Sequence, residues 1–274
     1  MMWPSLPPPF LYPPSAFVAA ASLVTVVSLA SLGLAELRGE HVAYSKFWGP
    51  QRPGGGGGAL LPSRAGMLVG YVPALVAALA SFAVPGAAND GARAQLLRAA
   101  LAVHFLKRVL EVLFVHRYSG SMPLPTVLQI SSCYLLYVIM FIYAQHLSRG
   151  LPEPAVDTLH PGALVFAVGV AGNFYHHHLL SRLRTDGGGG AAGGDRGYKI
   201  PRGGLFELVA CPHYLFEIVV FAGLAMIAQT AFALALAVGT AAFLACRSCA
   251  TRRWYAAKFE EFPAGIRALV PYVL

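Results

Sequence analysis

The segment FVAAASLVTVVSLASLGLA, residues 17–35, contains 19 residues and no charged side chain. An apolar helix of about 20 residues is long enough to cross the hydrocarbon core of a bilayer, so this segment predicts a membrane-spanning helix. It is longer than the apolar core of a signal peptide and no basic residue precedes it, so we expect an uncleaved anchor. The proline-rich residues 1–15 in front of it are predicted to form a disordered lead.

Six further apolar stretches follow, so the anchor is the first of a series. They cover residues 65–84, 97–115, 127–144, 162–180, 214–228 and 231–246. The last two are short and are joined directly at Gln229 and Thr230, which leaves six crossings as the alternative to seven. The pattern predicts an all-α polytopic membrane protein with about seven transmembrane helices.

The composition of the whole chain excludes several other classes of protein. Only 12% of the 274 residues are charged and 57% are hydrophobic, with a mean hydropathy of +0.60, whereas soluble domains carry about 25% charged residues. The chain therefore lacks the charge that a soluble surface needs. Four cysteines are too few for a disulfide-rich scaffold, and the apolar content excludes disorder over most of the length.

The basic residues predict the orientation of the helices. The net charge is +8, and positive residues concentrate in cytoplasmic loops. With a lumenal N-terminus, fifteen of the twenty Lys and Arg residues fall on the cytosolic side and three on the lumenal side, while Lys107 and Arg108 lie inside the third stretch. We therefore expect a lumenal N-terminus and a cytosolic C-terminus, and we interpret the positive charge mainly as a topology signal, with no nucleic-acid partner.

Four ionisable residues inside the third stretch give the best indication of a functional site. His104, Lys107, Arg108 and Glu111 are spaced i, i+3, i+4 and i+7, which places them on one face of a helix. Charged groups are costly within a membrane and usually face the interior of a bundle. One interpretation is a structural ion pair between a cation and Glu111. The interpretation that we favour is a cationic surface for an anionic or carbonyl-bearing group.

The fifth stretch ends in three consecutive histidines, residues 176–178. On a continuous helix Asn173, His177, Leu180 and Arg184 form one stripe that reaches the cytosolic side, where arginine is suited to binding a phosphate group. Membrane di-iron enzymes need several histidine boxes to complete a metal site. This chain has one triplet and otherwise scattered histidines, so we expect no metal.

Further polar motifs follow the fifth stretch. The glycine-rich residues 185–196 predict a flexible cytosolic linker, and their match to G-x-G-x-x-G lacks the strand and helix of a dinucleotide fold. Within residues 211–217, His213 and Glu217 lie one helical turn apart. The last helix carries three polar residues on one face: Arg247, Thr251 and Tyr255. These features indicate a membrane-embedded site that is open to the cytosol and binds a phosphorylated cofactor.

From about residue 65 to residue 274 the chain resembles the steroid 5α-reductase family, which includes trans-2-enoyl-CoA reductases and polyprenol reductases. The specific motifs are Leu183-Arg184, Tyr-Lys-Ile-Pro-Arg-Gly-Gly-Leu-Phe (198–206), Cys-Pro-His-Tyr-x-x-Glu (211–217) and an ending from Trp254 to Tyr272. The segment His-Phe-Leu-Lys-Arg-x-x-Glu (104–111) is similar to the enoyl-CoA reductase branch. On this resemblance, residues 16–64 form the first helix with a cytosolic loop, and residues 65–274 form the catalytic domain.

The resemblance implies a multi-pass protein of the endoplasmic reticulum membrane that uses NADPH. It would reduce a lipid C=C bond conjugated to a carbonyl, in an enoyl thioester, a 3-oxo-4-ene steroid or a prenoid, with hydride transfer to the β-carbon followed by protonation. The catalytic pair would fall on Lys107, which polarises the carbonyl, and Tyr214, which donates the proton. Ten residues would surround NADPH: Asn173, His177, Leu180, Arg184, Tyr198, Lys199, His213, Glu217, Arg247 and Tyr255.

The expected substrate side departs from the family pattern. Tyr71 stands where steroid reductases carry the glutamate that holds the 3-keto group, and Phe105 stands where they carry a tyrosine. Phe105 cannot donate a hydrogen bond, so we hypothesise that Tyr71 contacts the substrate oxygen instead; the alternative is a packing role beside Pro73. His104 and Glu111 complete the expected substrate side. Two positions near the nicotinamide also differ from the family: His213 and Thr251.

Two other classes of function stay open from the sequence. One is a membrane methyltransferase of the isoprenylcysteine type, which would use S-adenosylmethionine and would not need the cytosolic arginines for phosphate. The other is an inactive family member that acts as a binder or scaffold. The expected partners are a lipid substrate and, as an association, other enzymes of lipid synthesis.

Overall fold

Seven α-helices account for most of the computed structural model, which describes residues 10–43, 47, 59–87, 90–183 and 198–274. The helices are α1 (Ala16–Arg38), α2 (Ser63–Ala80), α3 (Ala92–Leu110), α4 (Leu124–Leu147), α5 (Leu159–Leu183), α6 (Pro212–Ala228) and α7 (Ala231–Lys258). Each overlaps one predicted apolar stretch, although α3 begins and ends five residues earlier than predicted and α7 continues twelve residues further. The all-α architecture is therefore confirmed, and every predicted stretch forms a helix.

Four of these helices are long and apolar enough to cross a membrane by length and composition: α1, α2 with its short 3-10 extension, α4 and α7. Helix α3 carries several arginines and a lysine, and α6 has only 17 residues. The fold is that of a helical membrane protein. Crossing by α3, α5 and α6, and the orientation of the two termini, stay predictions.

Local sequence signals set several helix ends. Ser15 caps α1, because its hydroxyl accepts a hydrogen bond from the Val18 N–H at 3.2 Å. Gly39 ends α1 in the left-handed conformation, with a φ of 88°. Pro212 occupies the first turn of α6. Thr230 caps α7 directly after Gln229, so α6 and α7 are joined without a loop, as the sequence predicted.

Helix α3 does not end as a regular α-helix. It continues into a π-helical turn, Glu111–Val115, that closes with a hydrogen bond of 2.7 Å from the His116 N–H to the Glu111 carbonyl. Such turns often occur at functional sites because they change the direction in which side chains point. Two short strands then join neighbouring connections: β1 (Leu60–Pro62) pairs antiparallel with β2 (Ser121–Pro123).

One end of the bundle, which we call the Gln229 end, holds the N-terminal segment. The Gln229 side chain donates hydrogen bonds to the Phe10 and Val156 carbonyls at 2.8 and 2.9 Å. Tyr12 is buried and its hydroxyl donates to Glu153 at 2.6 Å. The segment is therefore attached to the bundle through Tyr12, which supplies both an apolar ring and a hydroxyl, in contrast to the predicted disorder, while Phe10 and residues 13–15 are exposed. Residues 1–9 lie outside the described part.

Glycines allow α5 and α6 to approach closely. A Cβ at Gly162 would lie 2.7 Å from the Met226 Cβ, and one at Gly169 would lie 2.6 Å from the Val220 backbone nitrogen. On the α6 side, a Cβ at Gly223 would meet the Phe166 backbone. Small residues at such positions let membrane helices pack backbone to backbone, and this contact sets the distance between α5, which carries Asn173 and His177, and α6, which carries Tyr214 and Glu217.

We expect Gly169→Ala to lower the free energy of unfolding by about 1–3 kcal/mol, because the added methyl group meets backbone that has no side-chain freedom to move. Thermal unfolding in detergent measures the effect. Gly265→Ala is the matched control, because a Cβ at Gly265 has no atom within 4 Å. Equal stability of the two variants would contradict the close packing of α5 and α6.

Candidate functional site

A buried group of charges lies where α3 meets α2 and α5. The Arg108 guanidinium lies at its centre, because it contacts α2, α5 and the π turn that follows α3. One terminal nitrogen donates to Glu111 Oε2 at 2.9 Å and lies 3.1 Å from His177 Nε2. The other donates to the Tyr71 hydroxyl at 2.5 Å, and the guanidinium carbon lies 4.8 Å from the centre of the Tyr71 ring.

Lys107 connects the same group to α6. Its ammonium lies 2.9 Å from Glu111 Oε1 and donates a hydrogen bond to the side-chain oxygen of Asn173, Oδ1. The Asn173 amide in turn donates to the His213 carbonyl at 2.8 Å. Lys107 is therefore linked through one side chain to the backbone beside Tyr214, the other member of the predicted catalytic pair.

Both interpretations of the charged face of α3 contribute to the arrangement. Glu111 forms one ion pair with Lys107 and a second with Arg108, so both cations take part in the structural ion pairing. On α3 itself one carboxylate and two cations leave one positive charge, and Glu217 of α6 brings a second carboxylate that interacts electrostatically with both cations. Glu111 is itself almost fully buried, so it holds the two cations in place rather than facing a ligand.

A second carboxylate approaches α3 from α6. Glu217 Oε1 lies 3.7 Å from His104 Nε2. His104 Nδ1 and Glu217 Oε2 are buried without a hydrogen-bond partner among the described residues. Buried polar atoms are normally paired, so these two atoms are candidates for contact with a bound molecule.

Two histidines form a hydrogen-bonded chain at the π turn. His177 Nδ1 lies 3.1 Å from His116 Nε2, and His116 Nδ1 lies 2.9 Å from the Tyr118 hydroxyl. Arginine can only donate, so Arg108 makes His177 Nε2 an acceptor and places the His177 proton on Nδ1. The chain therefore runs from Arg108 through His177 and His116 to Tyr118.

The same histidines belong to a group with the spacing of a metal site. One oxygen of Glu111 and one nitrogen each of His116 and His177 lie within 4.8 Å of one another. A metal on His177 Nδ1 would need the proton on Nε2 instead, where it would face the Arg108 N–H. The observed hydrogen bonds and the two adjacent cations thus favour the hydrogen-bonded chain over a metal centre.

Aromatic rings cover the Tyr71 side of the charged group. The Tyr134 ring of α4 lies between two predicted substrate residues, with its centre 5.4 Å from that of Tyr71 and 5.6 Å from that of Phe105. His104 packs edge to face on Phe105, with ring centres 4.9 Å apart. The predicted substrate residues Tyr71, Phe105 and His104 are therefore brought together, and Tyr134 joins them.

Arg247 has a different environment from the one that the sequence predicted. Its guanidinium forms a buried ion pair with Glu36 of α1, and its Nε donates to the Tyr214 hydroxyl at 3.4 Å. The guanidinium carbon also lies 4.9 Å from the centre of the Phe47 ring. We predicted a phosphate ligand; the structure instead gives Arg247 a carboxylate partner, and it holds Tyr214 directly.

The remaining predicted cofactor residues gather at the opposite end of the bundle from Gln229. Tyr198 packs edge to face on Trp254, with ring centres 5.0 Å apart, and Tyr255 stacks on Phe262 at 5.7 Å. Arg247, Thr251 and Tyr255 share a buried face of α7, as predicted. Lys199 is exposed and Leu180 is partly buried. Arg184 and the linker 185–196 lie outside the described residues.

Three contributors to the site were missed by sequence reasoning. Glu36 is the carboxylate at the end of the first apolar stretch, and that position was a signal that could have found it. Tyr134 and His116 gave no such signal, because a tyrosine in an apolar helix and a histidine in a loop are common. Their part in the site follows only from their contacts in the fold, which are Tyr71 and Phe105 for Tyr134 and His177 for His116.

Comparisons with known proteins identify the family of the chain. A family model described as 3-oxo-5-alpha-steroid 4-dehydrogenase matches residues 121–274. The chain is 31% identical over 243 residues to 3-oxo-5-alpha-steroid 4-dehydrogenase 1 of Macaca fascicularis, with 88% of each chain covered. It is 30% identical over 175 residues to the very-long-chain enoyl-CoA reductase of Dictyostelium discoideum, with 63% of this chain and 56% of that protein covered.

Proposed function

Because the chain belongs to the 3-oxo-5-alpha-steroid 4-dehydrogenase family and is therefore a membrane oxidoreductase, we propose that it uses NADPH to reduce a lipid C=C bond conjugated to a carbonyl. The substrate is an enoyl thioester, a 3-oxo-4-ene steroid or a prenoid, and the protein works in the endoplasmic reticulum membrane. The observation that carries the proposal is the link from Lys107 through Asn173 to the backbone beside Tyr214.

Lys107 and Tyr214 are the proposed catalytic pair. The Lys107 ammonium polarises the substrate carbonyl, and the charge of Glu111 and the amide of Asn173 hold it in one position. Tyr214 gives the proton that completes the reduction. Its oxygen accepts a hydrogen bond from Arg247, and a guanidinium beside a phenol stabilises the phenolate that proton donation leaves. Fixed charges of this kind act strongly because water is largely excluded from the site.

The described residues fit a pyridine nucleotide. Glu217 Oε2 and the Thr251 hydroxyl are buried without a partner among the described residues, and a carboxylate oxygen is a suitable acceptor for the N–H groups of a carboxamide. The exposed Lys199 is suited to a phosphate. We propose that these groups, with Asn173, His177, Leu180, Tyr198, His213 and Tyr255, hold the cofactor. NADPH supplies the hydride when it is bound.

Cofactor binding tests the proposal most directly. In the purified protein in detergent, NADPH at 100 times its Kd should stabilise the folded state by about 2.7 kcal/mol and so raise the unfolding temperature. S-adenosylmethionine at the same concentration should leave it unchanged. NADPH consumption is then measured with a trans-2-enoyl-CoA, a 4-ene-3-ketosteroid and a polyprenal.

Each outcome has a separate meaning. Consumption of NADPH with one of the three substrates supports the proposal and identifies the substrate class. A shift with S-adenosylmethionine alone would support the methyltransferase instead. Binding of NADPH without consumption of any substrate would identify an inactive binder, and no binding of NADPH would contradict the proposed function.

A further inference from the structure

An open groove of about 330 Å³ lies between α2 and α4 at the Gln229 end of the bundle. The start of α3 marks this end, because Arg93 donates to the Ile227 carbonyl at 2.7 Å. Arg98, five residues further along α3, belongs to the lining of the groove. Lys107 follows Arg98 by nine residues, which is about 13 Å along the helix. The groove is therefore separate from the proposed reductase site.

The two long walls of the groove are apolar. Ala77 and Ala80 of α2 form one wall, and Ile139 and Ile142 of α4 form the other. Ala80 and Ile139 are exposed. Both helices are long and apolar enough to cross a membrane, so their exposed apolar faces border the hydrocarbon of the bilayer. A fatty acyl chain matches such walls in both polarity and shape.

One end of the groove is cationic. Arg98 forms an ion pair with Asp90, and the Nη2 atom of Arg149 lies 2.6 Å from both oxygens of the same carboxylate. Because two arginines share one carboxylate, one positive charge remains uncompensated within this cluster. The exposed His146 adds a further ring nitrogen to the lining.

Two other carboxylates at the Gln229 end have a different partner. Glu153 and Asp157 both form ion pairs with Arg93. Arg93 precedes Arg98 by five residues, so the two arginines leave α3 in directions about 140° apart. The carboxylates that pair with Arg93 therefore belong to another face of α3 and leave the charge at the groove in place.

Arg149 keeps donors for a further ligand. Its contacts with Asp90 use only Nη2, and no acceptor in the described part of the chain bonds to its Nε or Nη1. The side chain is 36% exposed. Ile139 lies ten residues earlier, about 15 Å along α4. A chain that lies on the apolar walls would thus bring its charged end to Arg149, and a guanidinium matches the oxygens of a phosphate group.

We propose that this groove binds one phospholipid, with a fatty acyl chain along α2 and α4 and with the phosphodiester accepting hydrogen bonds from Arg149. Asp90 and Arg98 hold the Arg149 guanidinium at the end of the groove. A lipid without a phosphate would leave the positive charge without a partner, and inorganic phosphate would leave the apolar walls uncovered. The inference does not depend on the proposed reductase function, because no residue of the proposed active site lines the groove.

Native mass spectrometry of the delipidated protein in detergent tests the inference, because it counts bound lipids and gives their Kd. One dioleoylphosphatidylglycerol per chain should bind more tightly than dioleoylglycerol, which has the same acyl chains and no phosphate. Arg149→Gln should weaken the binding of dioleoylphosphatidylglycerol about tenfold, as expected for the loss of one hydrogen bond to a charged group. The affinity for dioleoylglycerol should not change.

Arg38→Gln is the matched control, because it removes the same charge from an exposed arginine in the last turn of α1, far from the groove. It should bind both lipids like the wild type. Ala80→Trp fills the groove and should weaken the binding of both.

Three results would contradict the inference. The first is equal affinity of Arg149→Gln and Arg38→Gln for dioleoylphosphatidylglycerol. The second is equal affinity of the wild type for the two lipids, and the third is unchanged lipid binding by Ala80→Trp. Inorganic phosphate is added alone in a parallel titration, and an affinity equal to that of the phospholipid would show an anion site without a lipid, which also overturns the inference.

Discussion

Tyr214→Phe is expected to lower the rate of NADPH-dependent reduction by about 10²–10⁴-fold, the usual contribution of a positioned general acid. Arginine can only donate, so the Tyr214 oxygen is the acceptor in its bond with Arg247 and its own hydrogen is not used there. Phenylalanine keeps the ring that packs on His213, with centres 4.3 Å apart, but it has no proton to give. NADPH consumption at saturating substrate measures the loss.

The affinity for NADPH separates this role from a structural one. Titration by fluorescence should give the same Kd for Tyr214→Phe and the wild type, because the variant retains the ring and its surroundings. Tyr175→Phe is the control, since Tyr175 is exposed on α5 and should retain full activity. An unchanged rate in Tyr214→Phe would refute the role of proton donor, and a large loss of NADPH binding would make Tyr214 a cofactor-binding residue instead.

The positions of the helices were predictable from the sequence, whereas their pairing was not. An apolar run of sufficient length forms a helix in a membrane whatever its neighbours, because every backbone polar group must be satisfied within the segment. The contact between Glu36 and Arg247 joins residues that are 211 positions apart, and no local pattern specifies it. The π turn at Glu111–Val115 was equally hidden, since its residues continue the apolar pattern of α3.

The candidate site was predictable where it depends on one helix. The spacing of Lys107, Arg108 and Glu111 places them on one face of α3, and the structure joins all three in ion pairs. Arg247 was assigned to the cofactor from its charge and from the family resemblance, and neither indicates which side chain lies beside it in the bundle. A buried cation pairs with an anion that lies near it in the folded bundle. For Arg247 that anion is Glu36 of α1, outside the 65–274 segment on which the resemblance was drawn.

The buried pair of Glu36 and Arg247 leads to the largest expected effect on stability. Their side chains are 0% and 1% exposed, so Glu36→Gln leaves a buried guanidinium without its opposite charge. We expect this variant to lose about 3–5 kcal/mol of unfolding free energy, the usual cost of removing one partner from a buried ion pair. The loss should appear as a lower unfolding temperature in detergent, with Glu40→Gln as the control, because Glu40 is exposed.

A double variant distinguishes the cost of the unpaired charge from a loss of packing. Glu36→Leu combined with Arg247→Met removes both charges, and apolar replacement of a buried pair is often neutral. It should therefore recover the part of the stability that the unpaired guanidinium costs, but not the hydrogen bonds that Glu36 accepts from His41 and from the Val42 N–H. It should not recover activity, because Tyr214 loses the guanidinium that holds its hydroxyl. Wild-type stability of Glu36→Gln would show instead that Arg247 finds another partner, and Glu36 would then have no part in the position of Tyr214.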